Sequence, residues 1–161
     1  MIDLLTVPME IPDEGNIIIG QSHFIKTVED IYEAVVTTAP HAKFGLAFNE
    51  SSGACLIRAE GNDQNLRDTA TRNAKALAAG HVFVLMIQNA YPINLLNAIR
   101  NVPEVCSIFC ATANAAQVVV AESELGRGVL GVIDGSMPKG VEGAEDAEKR
   151  RGFLRMIGYK R

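Results

Sequence analysis

His81-Val82-Phe83-Val84-Leu85-Met86-Ile87 is apolar without a break after its first residue. A short run of this kind, rich in β-branched and aromatic side chains and lacking polar alternation, is the pattern of a strand covered on both faces. Covering both faces requires more than one layer around it. Just before the run, Leu66, Ala70, Ala74, Leu77 and Ala78 fall on one helical face, with Asn62 or Asp63 as the N-cap and Gly80 expected as the left-handed residue past the C-terminus. Beyond it, Pro92 suits the first turn of a short helix carrying Ile93, Leu96 and Ile99, which ends before Pro103.

Further out, residues 43–50 and 54–60 read as two strands joined at Ser51-Ser52-Gly53, a composition suited to a tight hairpin. Val28, Ile31, Tyr32, Val35 and Val36 predict a helix over 27–39, capped by Thr27 and stopped by Pro40. Residues 2–11 and 16–19 flank the turn cluster Pro12-Asp13-Glu14-Gly15 and predict a hairpin. Toward the C-terminus, strands are expected over 105–112, 117–122 and 129–134, then a Gly-rich loop over 135–143. A last helix over 145–157 is expected to turn Ala147, Leu154 and Ile157 inward. About eight strands and four helices, with hairpins breaking any strict alternation, predict an α/β (α+β) single domain over 1–161 built on a mixed β-sheet.

The chain has 161 residues, enough for one core, and its 48% hydrophobic and 21% charged composition excludes disorder. With 19 acidic against 15 basic residues the net charge is −4, which disfavours nucleic-acid binding through phosphate neutralisation. Three cysteines form no disulfide framework; they read as small buried residues of a protein in a reducing, cytoplasmic setting. No apolar stretch reaches the ~18–20 residues of a membrane span, and Met1-Ile2-Asp3-Leu4-Leu5-Thr6 carries no basic leader pattern.

Gly126-Arg127-Gly128-Val129-Leu130-Gly131 matches the dinucleotide-binding string, but it runs into a strand instead of opening a helix, so a glycine-rich hairpin is expected. No phosphate-loop motif with its lysine is present. Cys106 and Cys110 on one strand would lie ~13 Å apart, too far to share a zinc ion or a disulfide. No metal site is predicted. Asn49-Glu50-Ser51 is read as a turn.

The chemistry therefore rests on three histidines. His41 follows a helix end and reads as a surface residue. His81 opens the buried strand, as a hydrogen-bonded core residue or a functional one. His23 lies in Gly20-Gln21-Ser22-His23-Phe24-Ile25-Lys26-Thr27, between a strand end and a helix N-terminus, where free amides attract phosphate, Ser22 can donate a hydrogen bond, Lys26 can supply a cation and Phe24 can offer a ring to a base or to the core.

This stretch, together with Lys43-Phe44-Gly45-Leu46-Ala47-Phe48, Gly61-Asn62-Asp63, Ala79-Gly80-His81-Val82-Phe83-Val84, Tyr91-Pro92-Ile93-Asn94, Ala111-Thr112-Ala113-Asn114 and Gly152 to Lys160, resembles the adenosine-specific kinase family over nearly the whole chain. These are small proteins mostly of archaea and some bacteria, similar neither to ribokinase-like nor to phosphate-loop kinases. The resemblance implies adenosine and AMP as ligands, a homo-oligomer (trimer or larger), and a histidine that carries a phosphoryl group. Position makes His23 the expected carrier and His81 the second choice. Gln21, Ser22, Lys26, Asn94, Asn114, Lys139 and Glu142 are the expected substrate-binding residues, with Asn62 as a further amide able to read adenine and Asp134 or Glu142 as the base. Mg²⁺ is expected only if the donor is a nucleoside triphosphate. The alternative is a non-catalytic adenosine- or AMP-binding or sensing protein.

Overall fold

The computed structural model describes residues 1–161. The elements follow in the order β1 (Asp3–Pro8), β2 (Asn16–Ser22), α1 (Thr27–Thr38), β3 (Lys43–Asn49), β4 (Ile57–Gly61), α2 (Gln64–Leu77), β5 (Val82–Gln88), α3 (Pro92–Arg100), β6 (Val105–Thr112), β7 (Ala116–Glu122), β8 (Arg127–Asp134) and α4 (Ala144–Met156). The class is α+β, as the hydrophobic pattern indicates. Five strands form one sheet in the order β4-β3-β5-β2-β6, three form another in the order β1-β7-β8, and every ladder is antiparallel.

β5 is the central strand of the larger sheet, and its side chains divide by parity between two cores. Phe83, Leu85 and Ile87 pack with Ile31 and Val35 of α1 and Leu95 and Ile99 of α3. Val82, Val84 and Met86 pack on the opposite face with Leu66, Ala70, Ala74 and Leu77 of α2 and with Val118 and Val120 of the smaller sheet. Each fully buried aliphatic side chain stabilises the fold by roughly 1.5–3 kcal/mol, so this strand ties three layers together.

The hairpin expected between β1 and β2 does not form. β2 already has β5 on one side and β6 on the other, which leaves it no free edge. β1 instead pairs with β7, from Asp3 opposite Glu122 to Pro8 opposite Gln117. The β3–β4 and β7–β8 hairpins do form, and the glycine string occupies the second, turning directly into a strand.

Helix ends differ in detail from the sequence reading. Lys26 occupies the N-cap of α1, while the Thr27 hydroxyl donates back to Phe24 O at 2.6 Å. Asp63 caps α2 by accepting from Leu66 N at 3.0 Å. The left-handed residue at its other end is Ala78 (φ 50°), not Gly80, because Asn49 Nδ2 donates to Ala74 O and Ala79 O and holds the chain there. Gly80 is needed for space: a Cβ on it would sit 2.8 Å from Ser51 Cβ. α4 buries no residue, so the inward face expected for Ala147, Leu154 and Ile157 finds no core in this chain. The cysteines also depart from expectation, since Cys55 lies in an exposed turn, Cys106 is exposed on the edge strand β6 and only Cys110 is half-buried.

Candidate functional site

Antiparallel pairing brings the C-terminal ends of β2 and β3 beside the N-terminal ends of β4, β5 and β6. His81 N donates to Asn49 O at 2.8 Å and Ser22 N donates to His81 O at 2.9 Å, while His23 N donates to Glu104 O at 3.1 Å. Both candidate histidines are thereby fixed by backbone at one end of the larger sheet. Together they line a cavity of about 610 Å³ with Phe24, Glu50, Ser52, Cys55 and Arg58. That volume lies within the range of small-molecule sites. A wider groove of about 830 Å³ adjoins it through Glu50, Cys55 and Ile57 but carries no histidine.

Glu50 organises the polar wall. Its Oε1 accepts from Ser51 N at 3.0 Å and Ser52 Oγ at 3.0 Å, and its Oε2 lies 3.1 Å from an Arg58 guanidinium nitrogen. Burial pushes this carboxyl up, but the Ser52 hydroxyl, the two amides and Arg58 outweigh it and hold Glu50 below the usual carboxylate range. The other terminal nitrogen of Arg58 donates to Ile25 O at 2.7 Å. His81 stacks on Phe48, with ring centroids 5.7 Å apart and planes 17° from parallel, and its Nε2 is 3.4 Å from Glu50 Oε1. His81 and Cys55 both adopt left-handed backbone, at φ 59° and 51°. Conformations of this kind in non-glycine residues cost roughly 1–3 kcal/mol and concentrate at functional sites.

With this geometry in place, comparison with known proteins supplies a family. The sequence model described as "Adenosine specific kinase" matches residues 7–160. The chain belongs to the adenosine-specific kinase family. Membership supports an adenosine-related function for it. Among solved structures it is similar to the crystal structure of the PH1918 protein from Pyrococcus horikoshii OT3. The two share 45% identity and a TM-score of 0.96, over 100% of this chain and 99% of that one. No functionally curated protein matches it.

Of the residues the sequence singled out in this member of the family, the structure unites His23 and His81 at the cavity. Gln21 is exposed on β2 beside them. Ser22 is buried, its Oγ 2.8 Å from Thr27 Oγ1 and donating to Glu104 O at 3.0 Å, so it braces His23 from below. Lys26 is ion-paired with Asp30. Glu29 and Asp30 in the first turn of α1 already compensate its dipole, and the guanidinium facing the cavity belongs to Arg58.

The remaining residues lie elsewhere. Asn94 Oδ1 accepts from Tyr91 N at 2.9 Å and starts α3, beyond the far end of β5. Asn114 Nδ2 donates to Asp134 Oδ1 at 3.0 Å beyond the far end of β6, where Thr112 Oγ1 also donates to Asp134 at 2.7 Å. Asn62 uses its amide on Phe44 N and Ala42 O. Glu142 is paired with Arg150, and Lys139 is exposed ahead of α4; neither lines the cavity. His41 is exposed, as expected.

Glu50, Arg58 and Glu104 were missed by sequence reasoning. Only the strand–turn–strand pattern around Ser51-Ser52-Gly53 hinted that Glu50 and Arg58 face each other across a hairpin. No group of three or more histidine, cysteine or acidic side chains is gathered closely enough to hold a metal ion, and no helix is long and apolar enough to cross a membrane.

Proposed function

We propose that this protein binds adenosine and AMP and transfers a phosphoryl group to adenosine, with His23 as the intermediate carrier. The observation that carries this reading is the shared cavity: two histidines and an arginine converge on one volume of nucleoside size in a chain of the adenosine-specific kinase family. An imidazole nitrogen is a competent phosphoryl acceptor, and splitting the transfer into two displacements replaces one difficult step by two easier ones. Arg58 supplies a planar, always charged fork suited to the phosphoryl oxygens. Phe24, exposed beside His23, offers a ring for the adenine. If a nucleoside triphosphate is the donor, Mg²⁺ arrives on its phosphates. The protein acts as a homo-oligomer, trimer or larger, in a reducing cytoplasm, to which three unpaired cysteines lend support.

Incubation with adenosine and candidate donors, followed for AMP and for acid-labile phosphate on the protein, tests the proposal. His23→Ala should abolish transfer and the protein-bound phosphate, while adenosine, which lacks a phosphate, binds within a few-fold of wild type. Phosphate that follows His81 instead would move the carrier to that residue. Nucleoside binding with neither AMP nor phosphoprotein formed would establish a non-catalytic binding protein.

A further inference from the structure

A phosphoryl carrier alone does not complete the transfer, because the attacking ribose hydroxyl must lose a proton as the new O–P bond forms. Asp134 and Glu142 are engaged away from the cavity, the first by Thr112 and Asn114, the second by Arg150. Within the cavity Glu50 accepts from Ser51 and Ser52 and pairs with Arg58, which together make it a weak base.

His81 differs from all of these. Its Nε2 lies 3.4 Å from Glu50 Oε1, close enough for the carboxylate to stabilise the imidazolium that forms when the ring takes a proton. Stacking on Phe48 and two backbone hydrogen bonds fix the ring's base although the residue sits at φ 59°.

We propose that His81, oriented by Glu50, is the general base for the nucleoside 5′-hydroxyl. The inference rests on the reading of His23 as the carrier. The 5′-oxygen attacks the phosphorus of phosphorylated His23, the O–P bond forms, and the N–P bond breaks with its electron pair returning to the His23 ring nitrogen. The hydroxyl proton passes to the unprotonated ring nitrogen of His81. His23 is charged beforehand by a phosphoryl donor of the phosphoramidate class: the His23 ring nitrogen attacks the phosphorus, the new N–P bond forms, and the donor's P–N bond breaks with its nitrogen leaving as ammonia. Glu50 acts through His81 and is a positioning residue.

Single-turnover transfer tests this in the full chain: protein charged with phosphoramidate is mixed with adenosine, AMP is quantified with time, and adenosine affinity is measured separately by calorimetry. His81→Asn, which suits the left-handed backbone, should charge normally and bind adenosine within a few-fold, yet form AMP about 10²–10⁴-fold more slowly. His81→Gly provides a second variant compatible with that backbone. Glu50→Gln should slow AMP formation without changing adenosine affinity, whereas a merely structural role would weaken both. AMP formation at the wild-type rate by either His81 variant would overturn the assignment of the base and leave the carrier intact. Wild-type protein that binds adenosine but takes up no phosphate on His23 would overturn the carrier reading, and this inference with it.

Discussion

Arg58 joins two parts of the site with one side chain, reaching Ile25 O ahead of α1 and Glu50 beside the β3–β4 hairpin. A lysine keeps the charge but cannot make both contacts at once. Arg58→Lys should therefore weaken AMP binding about tenfold or more while adenosine is affected less, a difference calorimetry with the two ligands would show. Glu104 presents the opposite situation: its carboxylate is buried, neither oxygen has a hydrogen-bond partner, and Lys26 Nζ is 3.9 Å away. Burial first, and the neighbouring Asp30 with it, push this carboxyl above its ordinary value of 4.5. An acid raised on folding stabilises the protein below its unfolded value and loses that contribution as pH climbs through the folded one. Glu104→Gln should accordingly gain stability relative to wild type between pH 4 and pH 7. Urea melts at both values that show no such trend would mean the carboxylate finds a partner. Cys110 adds a simpler check, since burial, then Asp134, push its thiol up to about 11. Iodoacetamide at pH 8 should label Cys55 and Cys106 and spare Cys110, as peptide mass mapping would reveal.

At the scale of single elements, α2 shows how local signals and close packing combine. Its N-terminus was legible because an acidic side chain ahead of an apolar helical face satisfies a free amide, as Asp63 does for Leu66 N. Asp63→Ala should cost about 1 kcal/mol in a urea melt. What the pattern did not convey is how closely this helix approaches β3. A Cβ on Gly45 would fall inside the backbone of Leu66 and Arg67. Gly45→Ala should thus destabilise by about 1–3 kcal/mol through overpacking, with the helix displaced from the sheet in a crystal structure of the variant. The C-terminal end of α2 was misread for a related reason: a distant side chain, Asn49, holds its carbonyls, and no feature of residues 77–80 announces that.

For the whole molecule, the C-terminal arm is the part that the chain alone does not cover. Phe153, Met156 and Tyr159 in and after α4, and Leu130 and Ile133 on β8, are exposed together with Met137 and Val141 between them. An arm that carries large apolar side chains and buries none of those on α4 within its own chain suits association with another copy. In the proposed oligomer this arm packs on further copies, which gives α4 the inward face its sequence suggests. Phe153→Asp combined with Met156→Asp should shift sedimentation toward the monomer mass without unfolding the body, as unchanged far-ultraviolet circular dichroism would establish. A wild-type protein that sediments as a monomer at micromolar concentration would refute the oligomer.

The sequence by itself determined the elements and the central strand, because periodicity, capping residues and apolar runs act over a few neighbouring positions. Burial on both faces of residues 82–87 followed from that run alone, and so did His23 at the junction of β2 and α1. Only the tertiary structure decided which strands pair. β1 chose β7 because β2 had no edge left, a consequence of competition among strands far apart in the chain. It also decided the composition of the site. Antiparallel pairing through β5 carries Glu50, Arg58 and His81 to the end where His23 stands, and it leaves Asn94 and Asn114 beyond the opposite end. Which end of a strand faces a given histidine depends on sheet order, and spacing along one chain does not encode that order.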